Sequence, residues 1–191
     1  MVRSQNLIVV VAHCLLFTLL FPGPAAADIE LFGANLLLQA IRAQDLPEVE
    51  SITIRGGNLE IFDAEQRTPI IHAAVVGNSD IVELLTKNRA KVNHRDKQGN
   101  TALFYAAGSG HIDVMEVLLE YGGKPDLDNK QGQTPLITAA AKGQISAVQL
   151  LLDRKADATH RDYTGRSALM WAEWNRRNDI VALLRKAGVR E

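Results

Sequence analysis

Five separate sets of residues recur along this chain at one interval, 33 positions. Thr68, Thr101, Thr134 and Ser167 form one set, and Asp63, Asp96, Asn129 and Asp162 a second. Gly99, Gly132 and Gly165 keep the interval, as do Gly77, Gly110 and Gly143. The pairs Leu84-Leu85, Val117-Leu118, Leu150-Leu151 and Leu183-Leu184 keep it too. A fixed period constrains the fold more than any local motif. Each copy is a small unit that can bury its apolar face only against its neighbours, so the copies must stack.

Each set has a physical job. Thr or Ser is a good helix N-cap, its oxygen accepting from free N–H groups of the first turn. Pro69 and Pro135 follow directly, where a missing N–H costs nothing. The pairs Ala73-Ala74, Ala106-Ala107 and Ala139-Ala140 allow two helices to approach closely. The next glycine ends the first helix in a left-handed conformation. A second helix then carries apolar residues such as Ile112, Met115, Val117, Leu118 and Leu119, and Gly122-Gly123 stops it. The segment KPDLDNKQGQ turns the chain outward and back. The expected fold is an all-α repeat solenoid of stacked helix-turn-helix units.

The strings TPIIHAAVVGNSDIVELL, TALFYAAGSGHIDVMEVLL, TPLITAAAKGQISAVQLL and SALMWAEWNRRNDIVALL carry a resemblance to the ankyrin repeat. The resemblance implies β-turn or hairpin fingers, each followed by two antiparallel helices. By register the repeats fall at 63–95, 96–128, 129–161 and 162–191, with a divergent N-terminal capping repeat at 34–62. In that first copy Leu37 and Ala40 keep their places, Asp45 and Pro47 start the second helix, and Gly56-Gly57 stop it. Asn35 stands where Thr is expected. The last copy departs as well. Arg176 replaces the glycine between its helices, and the link is expected to be rebuilt around Asn175 or Asn178. Arg185, Lys186 and Arg190 make the final helix polar, as suits a C-terminal cap.

Residues 1–27 have the layout of a secretory signal peptide. Arg3 is the positive end, Leu7 to Phe21 the apolar run, and Ala25-Ala26-Ala27 the small residues before cleavage. The run is short for a spanning helix, and Pro22-Gly23-Pro24 breaks it. His13 before Cys14 argues against lipidation. Cleavage after Ala27 would leave a short leader, 28–33, and no cysteine, which suits an oxidising compartment and excludes thiol chemistry. The expected location is the periplasm, with secretion as the alternative. With that leader, the chain resembles small exported bacterial ankyrin-repeat proteins.

Little in the sequence points to catalysis. The formal net charge is −1, which argues against a nucleic-acid partner. His72, His94, His111 and His160 are spread over the repeats, with no second ligand at metal spacing. Gly122-Gly123-Lys124 reads as a helix stop, and Ser109 sits in an inter-helix turn with no strand before it. No enzyme, cofactor or metal is expected, and no membrane contact after cleavage; a monomer is expected.

What remains is recognition. The resemblance implies a concave face, made by finger tips and first helices, that holds a protein partner. Carried over by register, its variable residues include Arg67, Arg95, Lys97, Lys130, Gln131, Lys142, Arg161, Tyr163, Arg166 and Trp174. Trp171 shares a position with His72, Tyr105 and Thr138, and is either core or contact. Arg, Tyr and Trp are enriched at binding hot spots, so the C-terminal end of the face, around Tyr163, Arg166 and Trp174, is expected to recognise. The repeat at 96–128 is expected to be bare there, at Gly108 and Ser109. An effector acting on another cell's protein is the competing function.

Overall fold

The computed structural model describes residues 36–189. The segments read as signal peptide and leader, together with Asn35 and Arg190, lie outside those residues. Among the described residues ten helices follow one another in five pairs. The first pair is α1, over residues 36–42, and α2, Leu46–Ile54. Next come α3, Pro69–Val76, with α4, Ser79–Lys87, and α5, Ala102–Ser109, with α6, Ile112–Glu120. The last are α7, Pro135–Lys142, with α8, Ile145–Asp153, and α9, Ala168–Trp174, with α10, Asn178–Lys186. Among the described residues there is no strand, only one isolated antiparallel bridge, between Arg161 and Ser167.

First and second helices differ in what surrounds them. In α3 every residue from Pro69 to Ala74 is buried, as is Pro135 to Ala140 in α7. In α4 only Ile81, Val82, Leu85 and Thr86 are buried, along one stripe. First helices lie more closely against each other than second helices do, so the stack curves with the first helices inside. One continuous apolar core runs from Leu37 to Val189.

Helix starts follow the caps. Thr101, Thr134 and Ser167 accept from the amides of Phe104, Ile137 and Met170. Asp45 and Asn78 accept from Glu48 and Ile81. Thr68 does not cap: its hydroxyl is buried with no hydrogen-bond partner.

Every described residue with positive φ falls into one of three sets spaced by 33. The finger set is Gln66, Gly99, Gly132 and Gly165, and the inter-helix set is Gln44, Gly77, Gly110, Gly143 and Arg176. The set after the second helix is Gly56, Arg89, Gly122, Lys155 and Gly188. Arg176 therefore corrects the expectation that its turn is rebuilt around Asn175 or Asn178. It adopts the left-handed turn itself, at φ 56. The reason lies in the neighbouring repeat. A Cβ at Gly77 would stand 2.7 Å from the His111 ring, and one at Gly110 would stand 2.5 Å from Gln144. Glycine is demanded there by what packs over it as much as by φ. Among the described residues no later repeat covers Arg176, which is exposed.

Candidate recognition face

Each finger is organised by its Asp or Asn. The amides two and four residues on donate to that side chain: Glu65 and Arg67 to Asp63, Gln98 and Asn100 to Asp96. Gln131 and Gln133 donate to Asn129, and Thr164 and Arg166 to Asp162. Adjacent fingers are joined by backbone. The amides of Lys97, Lys130 and Tyr163 donate to the carbonyls of Glu65, Gln98 and Gln131, at 2.9 to 3.0 Å. Inside the stack, the Asn129 side-chain amide donates to Asn100 Oδ1 at 3.0 Å.

The second carboxylate oxygen of each Asp is claimed by a residue nine positions on, at the start of the first helix. Tyr105 donates its hydroxyl to Asp96 at 2.6 Å, and Trp171 its indole N–H to Asp162 at 2.7 Å. His72 Nε2 lies 3.1 Å from Asp63. Burial pushes the His72 pKa down, so the ring is neutral at pH 7 and donates a hydrogen bond rather than forming an ion pair. Trp171 is thus a half-buried bolt between helix and finger, which the sequence left undecided.

The arginines beside these carboxylates differ in setting. Arg67 and Arg166 hold the same place in their repeats. Arg67 grips its own Asp63, with Nε at 3.0 Å and the second nitrogen at 2.9 Å. In the last repeat Trp171 occupies that oxygen. Arg166 lies instead over two indoles, 5.3 Å from the Trp171 ring centre and 5.2 Å from that of Trp174. Among the described residues its side chain donates to the Thr164 hydroxyl, at 2.9 Å. Trp174 is 71% exposed.

The other residues singled out from the sequence have varied settings. Tyr163 is 73% exposed; its ring lies across Gly132 of the preceding finger and its hydroxyl is 3.4 Å from Asp128. Arg95 pairs with that same Asp128, at 3.1 Å. Arg161 is held within its own finger, by the Gly165 carbonyl and the Met170 sulfur. Lys97, Lys130, Gln131 and Lys142 are exposed, and among the described residues the three lysines have no ion-pair partner. Lys142 lies over Gly108, its Nζ 3.6 Å from where a Cβ would stand. Gly108 is therefore covered by Lys142 and Thr138, not bare as its sequence implies. Asp128 was not signalled by the sequence, because it acts on Arg95 and Tyr163, side chains 33 and 35 positions away.

A shallow concavity of about 640 Å³ lies along the second helices, between Ile112 of α6, Ile145 and Asp153 of α8, and Asp179 and Lys186 of α10. None of the residues named above lines it. Among the described residues no cluster of His, Cys, Asp or Glu could hold a metal, and no helix is long and apolar enough to cross a membrane.

The fold and face define a repeat solenoid that presents side chains for contact. A family model for ankyrin repeats in three copies matches residues 37–129 and again 121–190, and the chain belongs to that family. A stretch of 73 residues is 37% identical to the human Arf-GAP with coiled-coil, ANK repeat and PH domain-containing protein 3. That match spans 37% of this chain and 9% of the human protein. Ankyrin repeats in general mediate protein–protein interaction and are non-enzymatic.

Proposed function

We propose that the chain holds a protein partner on its concave face, at the C-terminal end around Arg166 and Trp174. The observation that carries this reading is the half-buried Arg166 guanidinium held over two indole rings, one of which, Trp174, is 71% exposed. A side chain already held in place loses little entropy when a partner arrives, and Arg and Trp are the types that dominate interface energetics. Trp174→Ala and Arg166→Ala are each expected to weaken partner capture severalfold while leaving the melting transition in place. Capture unchanged by both would remove the face from the account.

The setting proposed is the cell envelope of a bacterium. The apolar run from Leu7 to Phe21, the Ala25-Ala26-Ala27 site and the lack of cysteine beyond Cys14 support it. Fractionation of tagged full-length chain tests it. Recovery of a shortened form from the periplasm is the expected result. Release into the medium would favour an effector, and an uncleaved cytoplasmic form would overturn export.

A further inference from the structure

We infer that Arg166 is the receptor for a carboxylate, supplied by an acidic, extended segment of the partner; the inference rests on the concave-face reading above. Four observations meet at this place. First, the arginine in the equivalent position of an earlier repeat, Arg67, is neutralised by its own finger carboxylate, Asp63. Arg166 makes no such pair: the Trp171 indole is on the outer oxygen of Asp162, and Arg166 has no ion pair among the described residues. Second, the Arg166 guanidinium carbon lies over two indole rings, 5.3 Å from the Trp171 centre and 5.2 Å from that of Trp174, and both contacts hold it in place. A guanidinium presents paired donors that match the two oxygens of a carboxylate. Third, Thr164 accepts from one terminal nitrogen and fixes the plane, leaving further N–H groups free.

Fourth, unpaired lysines accompany Arg166 along the fingers and first helices. Lys97 and Lys130 at the finger tips and Lys142 on α7 are exposed and unpaired among the described residues, whereas Arg67 and Arg95 are consumed by Asp63 and Asp128. The free cations run from Lys97 through Lys130 and Lys142 to Arg166, repeat by repeat. A segment with acidic residues spaced along it would meet them in turn, with Arg166 as the one oriented contact and the lysines as adaptable ones. The concavity along the second helices, bordered by Asp153 and Asp179, has the opposite character and would not compete for such a segment.

Trp171 and Trp174 are the two tryptophans of the chain, so its intrinsic fluorescence reports on this site. The test titrates the full chain with a ten-residue peptide of alternating glutamate and glycine, beside the glutamine–glycine version and inorganic phosphate. The expected result is a saturable change with the glutamate peptide alone, at least tenfold weaker in Arg166→Lys, which keeps the charge and loses the fork. Raising salt from 50 to 500 mM should weaken it further. A melting curve like that of the unsubstituted chain shows that the variant is folded. Equal response to glutamine, equal response to phosphate, no response, or full retention in Arg166→Lys would each overturn the carboxylate assignment. Partner capture that survives Arg166→Lys but is lost in Trp174→Ala would overturn this inference and leave the concave-face reading standing.

Discussion

The Asp162 carboxylate accepts from the Thr164 amide and hydroxyl, the Arg166 amide and the Trp171 indole. Burial alone would raise its pKa, but the Thr164 hydroxyl, the Trp171 indole and the two amides more than offset that and hold it below the usual carboxylate range. It is therefore ionised at neutral pH, and its outer oxygen has one taker. Trp171→Phe keeps a ring and removes the N–H. It should cost about 1–3 kcal/mol in chemical denaturation, the penalty for stripping a partner from a part-buried acceptor. A loss within error of zero would mean that the bolt does not hold the finger. The sequence placed Trp171 and Arg166 near each other without saying which would face the carboxylate. That outcome depends on ring type: the His72 imidazole shares its Asp63 oxygen with Arg67, the Trp171 indole does not share that of Asp162 with Arg166, and spacing does not show the difference.

Among the elements, helix boundaries were legible because caps are local chemistry. Thr101, Thr134 and Ser167 bond within three residues of themselves. Thr68 has the same sequence signal and no bond. Thr101→Val should cost about 1 kcal/mol, the usual worth of an N-cap, while Thr68→Val should be neutral or slightly stabilising. Parallel urea titrations of the two variants check this; equal losses would contradict it. The inter-helix glycines were misread at Arg176 because two demands had been merged. One is a left-handed φ, which Arg176 meets at a cost of about 1–2 kcal/mol. The other is room for the side chain that the next repeat lays over the turn, such as His111 over Gly77; Gln44 keeps its Cβ in the same turn with Asn78 beside it. Arg176→Gly should thus raise stability by up to about 1 kcal/mol, the strain less the added freedom of the unfolded chain. Gly77→Ala should lower it by more than that, since its Cβ would meet His111 at 2.7 Å. Loss of stability in Arg176→Gly would refute the argument.

Across the whole molecule the repeats share their finger geometry, and the carboxylates of the first and last full fingers tie stability to pH. The Asp63 pKa, raised by burial but lowered further by the Arg67 and Glu65 hydrogen bonds, lies below the ordinary carboxylate value, as does that of Asp162. Each carboxylate adds stability above its unfolded pKa of about 4, and that stability is lost as pH falls through the lower folded value. His72 acts in the same direction at higher pH. Its folded pKa is depressed by burial, so the unfolded chain takes up the proton first, and stability falls as pH drops from about 6.5 toward the folded value. Melting temperature should therefore decline steadily from pH 7.5 to 3, and His72→Gln should flatten the upper part of that decline. A rise in melting temperature between pH 7.5 and 5 would contradict both assignments. The period of 33 made the architecture readable at this scale. The charge pattern of the face was not readable, because the sequence shows Arg67, Arg95 and Arg166 alike while the stack silences the first two through Asp63 and Asp128 and frees the third.

That difference between Arg67 and Arg166 is the centre of the account, and one substitution exchanges their settings. Trp171→His places beside Asp162 the residue type that Asp63 meets in His72, and opens the carboxylate to the neighbouring arginine. The affinity of the variant for the glutamate–glycine peptide, followed by Trp174 fluorescence, is the direct measurement. A fall of at least tenfold with the melting transition preserved is the predicted result. Unchanged affinity in the folded variant would contradict the claim that Trp171 frees Arg166 to recognise a partner.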